Sequence, residues 1–331
     1  MSGGLGEDLL DGGVGADSIA GGDGSDTLTG GAGADTLDAG HDADTFALQD
    51  GFGSDVIEGD EGVSTGTDTD QISTTSLTAG VGIVLTGAES GTLSSGNDTL
   101  MNSDGDDSLD GGAGDDSIVA TGDEDTLRGG TGADTMEGGA DADTFIIEDN
   151  FGNDVITGGE GTTDPTDVDF DTVDLSAVSG PITVSFSQNE AGSITDNNDT
   201  INFTEIERII TTDSNDSIDA SGDATGLVLN ARGGDDTIKG GQGDDTILAG
   251  AGSDDISDGE GNDSVDGGAG DDSISGGLGN DLITGGVGDD RFVNTVGNGS
   301  DTITDFNAGN SGAIGDGDGT NSDFIDLSSF L

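Results

Sequence analysis

The sequence contains no cysteine, no tryptophan and no tyrosine, and its only histidine is His41. Without cysteine no disulfide supports the fold, and cysteine-based zinc sites are excluded. Basic residues are almost as scarce: five Lys and Arg stand against 71 Asp and Glu, for a formal net charge of −66. That balance argues against nucleic acid and anionic lipid as partners, and for cations. Apolar residues other than glycine make up 29% of the chain, which is low for a globular protein. Composition alone therefore predicts disorder, because too little apolar surface is available to offset chain entropy. No run of eighteen apolar residues exists, so no membrane-spanning helix is expected. Residues 1–10 are Gly-rich and acidic, with neither a basic nor an apolar region, so no cleavable secretory signal is expected. His-Glu-x-x-His, Gly-x-Ser-x-Gly and Walker-type patterns are missing too, and the chain reads as non-enzymatic.

What the chain has is glycine, 66 residues of it, in a strict period. Seventeen nonapeptides follow Gly-Gly-x-Gly-x-Asp-x-U-x, where U is bulky and apolar. The clearest copies begin at Gly12 and Gly267. They form three blocks, residues 3–47, 102–146 and 231–293. The sixth position is Asp throughout: Asp8, Asp17, Asp26, Asp35 and Asp44, then Asp107, Asp116, Asp125, Asp134 and Asp143, then Asp236, Asp245, Asp254, Asp263, Asp272, Asp281 and Asp290. The eighth position runs Leu10, Ile19, Leu28, Leu37, Phe46 in the first block, with the same apolar character in the others, and every block ends on Phe. One inward apolar residue per nonapeptide is the pattern of a narrow parallel solenoid, whose single repeats cannot bury their own apolar face.

Each block leads into a related sequel. Asp55-Val56-Ile57, Asp154-Val155-Ile156 and Asp301-Thr302-Ile303 follow the three terminal Phe residues, and further on come Asp70-Gln71-Ile72, Asp171-Thr172-Val173 and Asp323-Phe324-Ile325. The chain thus reads as three copies of a longer module, the third ending at Leu331 before its β-rich stretch, which suggests a fragment or a truncated product. Alternation predicts strands at Ile83-Val84-Leu85 and Ile182–Phe186, and favours strand over helix for residues 203–210. The expected organisation is a first repeat block at residues 1–58, a β-rich spacer at 59–101, a second block at 102–157, a second spacer at 158–230, and a third block with a C-terminal cap at 231–331.

The nonapeptides resemble the calcium-binding repeats of the RTX, or hemolysin-type, secreted proteins. The resemblance implies an all-β fold: parallel β-roll blocks, a right-handed β-solenoid with two nonapeptides per turn, separated by β-rich non-repeat segments. Each sixth-position Asp then stacks on the Asp eighteen residues later. At the roughly 4.8 Å between parallel strands, two carboxylates repel by about 3.5 kcal/mol at an effective dielectric of 20. A hard dication reverses the sign. The family pattern implies Ca²⁺ held by the seventeen Asp side chains and by loop carbonyls at the second and fourth positions. Those are Gly4, Gly6, Gly13, Gly15, Gly22, Gly24, Gly31 and Gly33 in the first block, and Gly112, Gly114, Gly130 and Gly132 in the second. In the third they are Gly241, Gly243, Gly250, Gly252, Gly259, Gly261, Gly268, Gly270, Gly277, Gly279, Gly286 and Gly288. Pairs eighteen residues apart give about eleven interior sites, enough to cancel about 22 of the negative charges. Asn102-Ser103, Ala120-Thr121 and Ala231-Arg232 replace the leading Gly pair, Asp258 a first Gly and Asp123 a fourth-position Gly, which weakens those repeats. Zinc and magnesium are disfavoured, the first by the lack of Cys and a lone His41, the second by an all-protein cage of many oxygens.

The expected function is calcium binding by a module that folds on Ca²⁺ outside the cell, exported without a cleaved signal by a type I secretion apparatus, and monomeric. Two alternatives stay open: an adhesin or surface-layer segment, and the C-terminal remnant of a secreted protease, lipase or epimerase. Ice binding needs flat ranks of Thr or Asn, and the seventh positions are mixed. His41 is expected to be solvated. Arg128, Arg208, Arg232, Lys239 and Arg291 are expected to pair with nearby carboxylates, and residues 164–174, with five Asp, form either a solvated acidic loop or an irregular calcium loop.

Overall fold

A computed structural model describes residues 1–47, 55–58, 70–73, 82–84, 89–92, 96–101, 105–159, 161, 170–196, 198–293, 299–306 and 323–326. Every regular element among them is a strand. The chain divides into two compact units, Met1–Asp171 and Thr172–Leu331.

Each nonapeptide contributes a strand of three to six residues that contains its U residue. Thr27–Thr29 and Thr126–Arg128 are examples, with the middle Leu buried and its neighbours half-buried. The Gly-rich half turns the chain so that the next strand lies on the opposite wall, and only the next but one returns to the same sheet. In the first unit Leu10 pairs with Leu28 and Leu28 with Phe46, while Ile19 pairs with Leu37 and Leu37 with Ile57, all parallel. In the second unit one wall runs Ile238, Ile256, Ile274, Phe292, Ile325 and the other Ile247, Val265, Ile283, Ile303. The eighteen-residue register expected from two repeats per turn is therefore present. It places the U residues in two facing ranks that form the apolar core of the repeat blocks: Leu28, Leu37, Phe46, Ile118, Leu127, Ile238, Ile247 and Ile274 are completely buried.

Strands from the segments between blocks continue the roll. Asp70–Ser73 pairs with Thr45–Ala47 on one side and with Glu89–Thr92 on the other, and Glu89–Thr92 pairs in turn with Ser108–Asp110. Gly82–Val84, expected as a strand, pairs with Thr99–Met101. In the second unit the expected strand appears as Thr183–Gln188, but it leads into an antiparallel excursion, Ala191–Thr195 and Thr200–Thr204. Residues 203–210 fall in the strands Thr200–Thr204 and Arg208–Ile210. Phe186 and Phe203 close the excursion edge to face, with ring centroids 5.0 Å apart. Among the described residues, no helix is long and apolar enough to cross a membrane.

Candidate metal centre

Stacking brings the sixth-position aspartates into ladders along the edges of the roll, and each ladder is hydrogen-bonded in one direction. The amide of each Asp donates to Oδ1 of the Asp one turn later. In the first block Asp8 donates to Asp26 at 2.7 Å, Asp17 to Asp35 at 2.7 Å and Asp26 to Asp44 at 2.5 Å. In the second, Asp107 donates to Asp125 at 2.8 Å, Asp116 to Asp134 at 2.8 Å and Asp125 to Asp143 at 2.9 Å. In the third, Asp236 donates to Asp254 at 2.8 Å, Asp245 to Asp263 at 2.8 Å, Asp254 to Asp272 at 2.9 Å, Asp263 to Asp281 at 3.0 Å and Asp272 to Asp290 at 3.0 Å. All seventeen aspartates named from the sequence take part.

The ladders also recruit aspartates that a nonapeptide count misses. Asp35 donates to Asp55, Asp134 to Asp154 and Asp281 to Asp301, each across 20 residues; Asp143 donates to Asp171 across 28 and Asp290 to Asp323 across 33. Asp98 donates to Asp116 and Asp216 to Asp236. The signal was present in part: Gly53-Ser54-Asp55-Val56-Ile57, Gly96-Asn97-Asp98-Thr99-Leu100 and Gly152-Asn153-Asp154-Val155-Ile156 keep the fourth, sixth and eighth positions of the motif.

While Oδ1 is engaged, Oδ2 is not. In Asp17, Asp26, Asp35, Asp116, Asp125, Asp134, Asp236, Asp245, Asp254, Asp263, Asp272, Asp281 and Asp290 this atom is buried and accepts no hydrogen bond. A buried carboxylate oxygen without a donor is costly, by about 1–3 kcal/mol and more when charged. Burial, opposed by the ladder amide and reinforced by neighbouring aspartates, pushes Asp116, Asp236, Asp245 and Asp272 up to about 7 and Asp125 to about 8. These oxygens suit a hard cation. They form a rank of anionic acceptors at turn spacing, and burial denies them water as a partner.

Where a repeat begins with glycine, that glycine lies against this oxygen. A Cβ at Gly12 would stand 3.1 Å from Asp17 Oδ2, one at Gly267 2.7 Å from Asp272 Oδ2, and one at Gly285 2.5 Å from Asp290 Oδ2. Sequence reasoning passed over these first-position glycines in favour of the second and fourth. Every second- and fourth-position glycine named above except Gly241 has positive φ. They stack on the previous turn so closely that a Cβ at Gly33 would meet the Gly15 carbonyl at 1.8 Å. The carbonyls of Gly13, Gly112 and Gly259 each accept an amide from the following turn at 2.7–2.9 Å, which leaves one lone pair on each for another partner. Where Asp replaces the fourth glycine, at Asp42, Asp123 and Asp141, φ stays positive at 76°, 68° and 75°, a conformation Asp tolerates better than most residues.

An outer ladder at the fifth position runs the opposite way. Asp244 Oδ1 accepts from the Asn262 amide at 2.7 Å, and Asn262 Oδ1 from the Asn280 amide at 3.2 Å. Three of the basic residues pair with carboxylates outside the ladders. Arg128 pairs with Glu148 at 2.9 Å, Arg232 with Asp213 at 3.0 Å and Lys239 with Asp219 at 2.8 Å, as expected, and Arg291 donates to the Ser273 hydroxyl at 3.2 Å. His41 is partly exposed, with Nδ1 3.0 Å from Asp23 Oδ1. Most of the acidic stretch 164–174 lies outside the described residues.

A search among curated proteins found no match. The family model for the RTX calcium-binding nonapeptide repeat (4 copies) matches residues 1–28, 20–51, 93–127, 119–146, 146–162, 228–256 and 257–292, together more than half of the chain. These are calcium-binding repeats of the kind typical of type I secreted proteins. With its stacked register and aspartate ladders, the chain belongs to the RTX calcium-binding nonapeptide repeat family.

Proposed function

We propose that this chain is a calcium-triggered folding module of an extracellular protein, and that the ladder aspartates, with loop carbonyls at the second and fourth glycine positions, are its calcium ligands. The single observation that carries this is the rank of buried Oδ2 atoms without a hydrogen-bond donor. A chain of net charge −66 that buries carboxylates at turn spacing has a strong electrostatic reason to stay unfolded until a divalent cation arrives. When bound, calcium supplies the positive charge and accepts oxygen ligands from successive turns. The residues of this chain set the spacing, exclude water and hold Oδ1 away on the ladder amide, so that Oδ2 remains for the ion. Metal binding and folding then become one equilibrium. The module is inert at cytosolic calcium and folds near millimolar calcium, which suits export in an unfolded state by a type I apparatus. Circular dichroism of the full chain during calcium titration tests this. β-structure should appear with calcium and vanish on chelation; a β signal indifferent to both would overturn the proposal.

A further inference from the structure

One repeat carries a carboxylate at its first position, where all the others but the one beginning at Asn102 have glycine or alanine. Asp258 occupies the first position of the repeat ending at Asp266, on the strand Asp255–Glu260. That position faces inward, and Asp258 is 0% exposed. The strand register places it between Gly240 one turn before and Gly276 one turn after, so two side-chain-free positions flank it. Its Oδ1 accepts the amide of Gly259 at 2.8 Å, and its Oδ2 accepts no hydrogen bond.

The carboxylate is aimed at two ladder aspartates. Oxygens of Asp258, Asp263 and Asp281 lie within 4.8 Å of one another, and all three residues are buried. Asp263 and Asp281 each also carry an Oδ2 without a donor. Three buried acceptors thus converge on one point, and the most deeply placed of them comes from a residue outside the repeat pattern. Burial, then Asp263 and Asp281, push the Asp258 carboxyl up to about 8, and Asp301 adds to the same effect.

We propose that Asp258, Asp263 and Asp281 form a side-chain calcium site of their own kind inside the third block, and that it binds more tightly than the sites of the regular repeats. This rests on the calcium reading of the repeats given above. Three carboxylates leave one net negative charge after binding a dication, and affinity for calcium rises with ligand charge and rigidity. Magnesium fits poorly, because it retains waters that this interior does not admit, and zinc prefers nitrogen and sulfur ligands.

The test uses the full chain and its Asp258→Gly and Asp258→Asn variants. The first restores the repeat consensus and the second keeps the shape without the charge. Calcium binding is followed by isothermal titration calorimetry, with magnesium as a parallel titrant. In each variant the tightest class of calcium, roughly tenfold below the rest in Kd, should disappear, and the ion at Asp263 and Asp281 should fall to the affinity of the regular repeats. Equal stoichiometry and equal affinity in parent and Asp258→Asn would overturn the inference and leave the three carboxyls as a proton-sharing cluster. A parent chain that binds calcium at its other sites but not here separates this failure from failure of the functional proposal, in which no calcium binds at all.

Discussion

Residues 231–293 and residues 172–230 both bury aspartates within parallel strands of the same unit, yet they satisfy them differently. In the repeats, one oxygen of Asp236, Asp245, Asp254 and Asp272 takes the ladder amide and the other takes nothing. In the earlier segment both oxygens are used. Asp216 Oδ2 accepts the Thr212 amide at 2.9 Å and the Thr212 hydroxyl at 2.9 Å, while its Oδ1 accepts the Ile182 amide at 2.8 Å. Asp223 Oδ1 accepts the Thr225 amide at 2.7 Å and hydroxyl at 2.6 Å, and its Oδ2 the Glu190 amide at 2.5 Å. The cores differ in parallel. The repeats bury one U residue per nine, whereas the segment also buries Val178, Ile182, Phe186, Ile194, Phe203 and Ile206. Where the sequence supplies hydroxyl donors and apolar bulk, a buried carboxylate needs no metal. In the repeats no such donor reaches the second oxygen, which is the one proposed to take the metal.

Chelation should separate the two regions most strongly. In hydrogen-exchange mass spectrometry, removing calcium should accelerate exchange in residues 237–293 by roughly a hundredfold or more, and in residues 173–220 by less than about tenfold. Equal loss in both would break the comparison. Next in size, Asp263→Ala removes the acceptor of the Asp245 amide and one of the proposed calcium ligands. The calcium midpoint for folding the third block should rise by about tenfold, read by circular dichroism.

Acid should partly replace calcium. Asp134, Asp281 and Asp290 are raised to about 6, and Asp116, Asp236, Asp245 and Asp272 to about 7, by burial against an ordinary value of 3.8. Groups raised in the folded state favour folding once protonated. Their contribution is complete below about pH 4 and is lost as pH rises through about 6 to 8. The calcium-free chain should therefore gain β signal when taken from pH 8 to pH 4 in chelator.

Thr212→Val sharpens the comparison from the other side, because it takes the hydroxyl from Asp216 and leaves the amide. Chemical unfolding in saturating calcium should show a loss of about 1–2 kcal/mol. Asp219→Ala should do least. Its carboxyl is held down at about 2 by hydrogen bonds from Lys239 and Ser221, so its contribution is present above the ordinary carboxylate range and fades only as pH falls toward 2. Both partners are substantially exposed, and the change in stability should stay within about 0.5 kcal/mol.

The period carried most of the fold. U residues at every ninth position fix which side chains face inward, and the eighteen-residue register follows once two repeats make a turn. The ladder beyond the blocks was harder to read, because insertions of two or more residues before Asp55, Asp154 and Asp301 break the count while leaving the stacking intact. The hairpin of Ala191–Thr195 and Thr200–Thr204 was hidden for another reason. Alternation marks a strand but does not say whether its neighbour runs parallel or antiparallel. The role of the first glycine depends on where a carboxylate oxygen five residues later comes to rest, which only packing decides. Asp258 read as a weakened repeat in the sequence, and the structure gives it two acidic neighbours.

The direction of the ladder bonds has one further consequence. Because the Asp236 amide reaches forward to Asp254, and Asp254 in turn to Asp272, a stack of these turns has a head and a tail. A turn added at the C-terminal end brings an acceptor to a waiting amide. A turn added at the N-terminal end brings an amide to an oxygen already in place. Cutting the stack therefore leaves chemically different faces, amides without acceptors on one side of the cut and carboxylates without donors on the other. Assembly from the two ends is not equivalent, and a roll of this kind grows as a polar filament does.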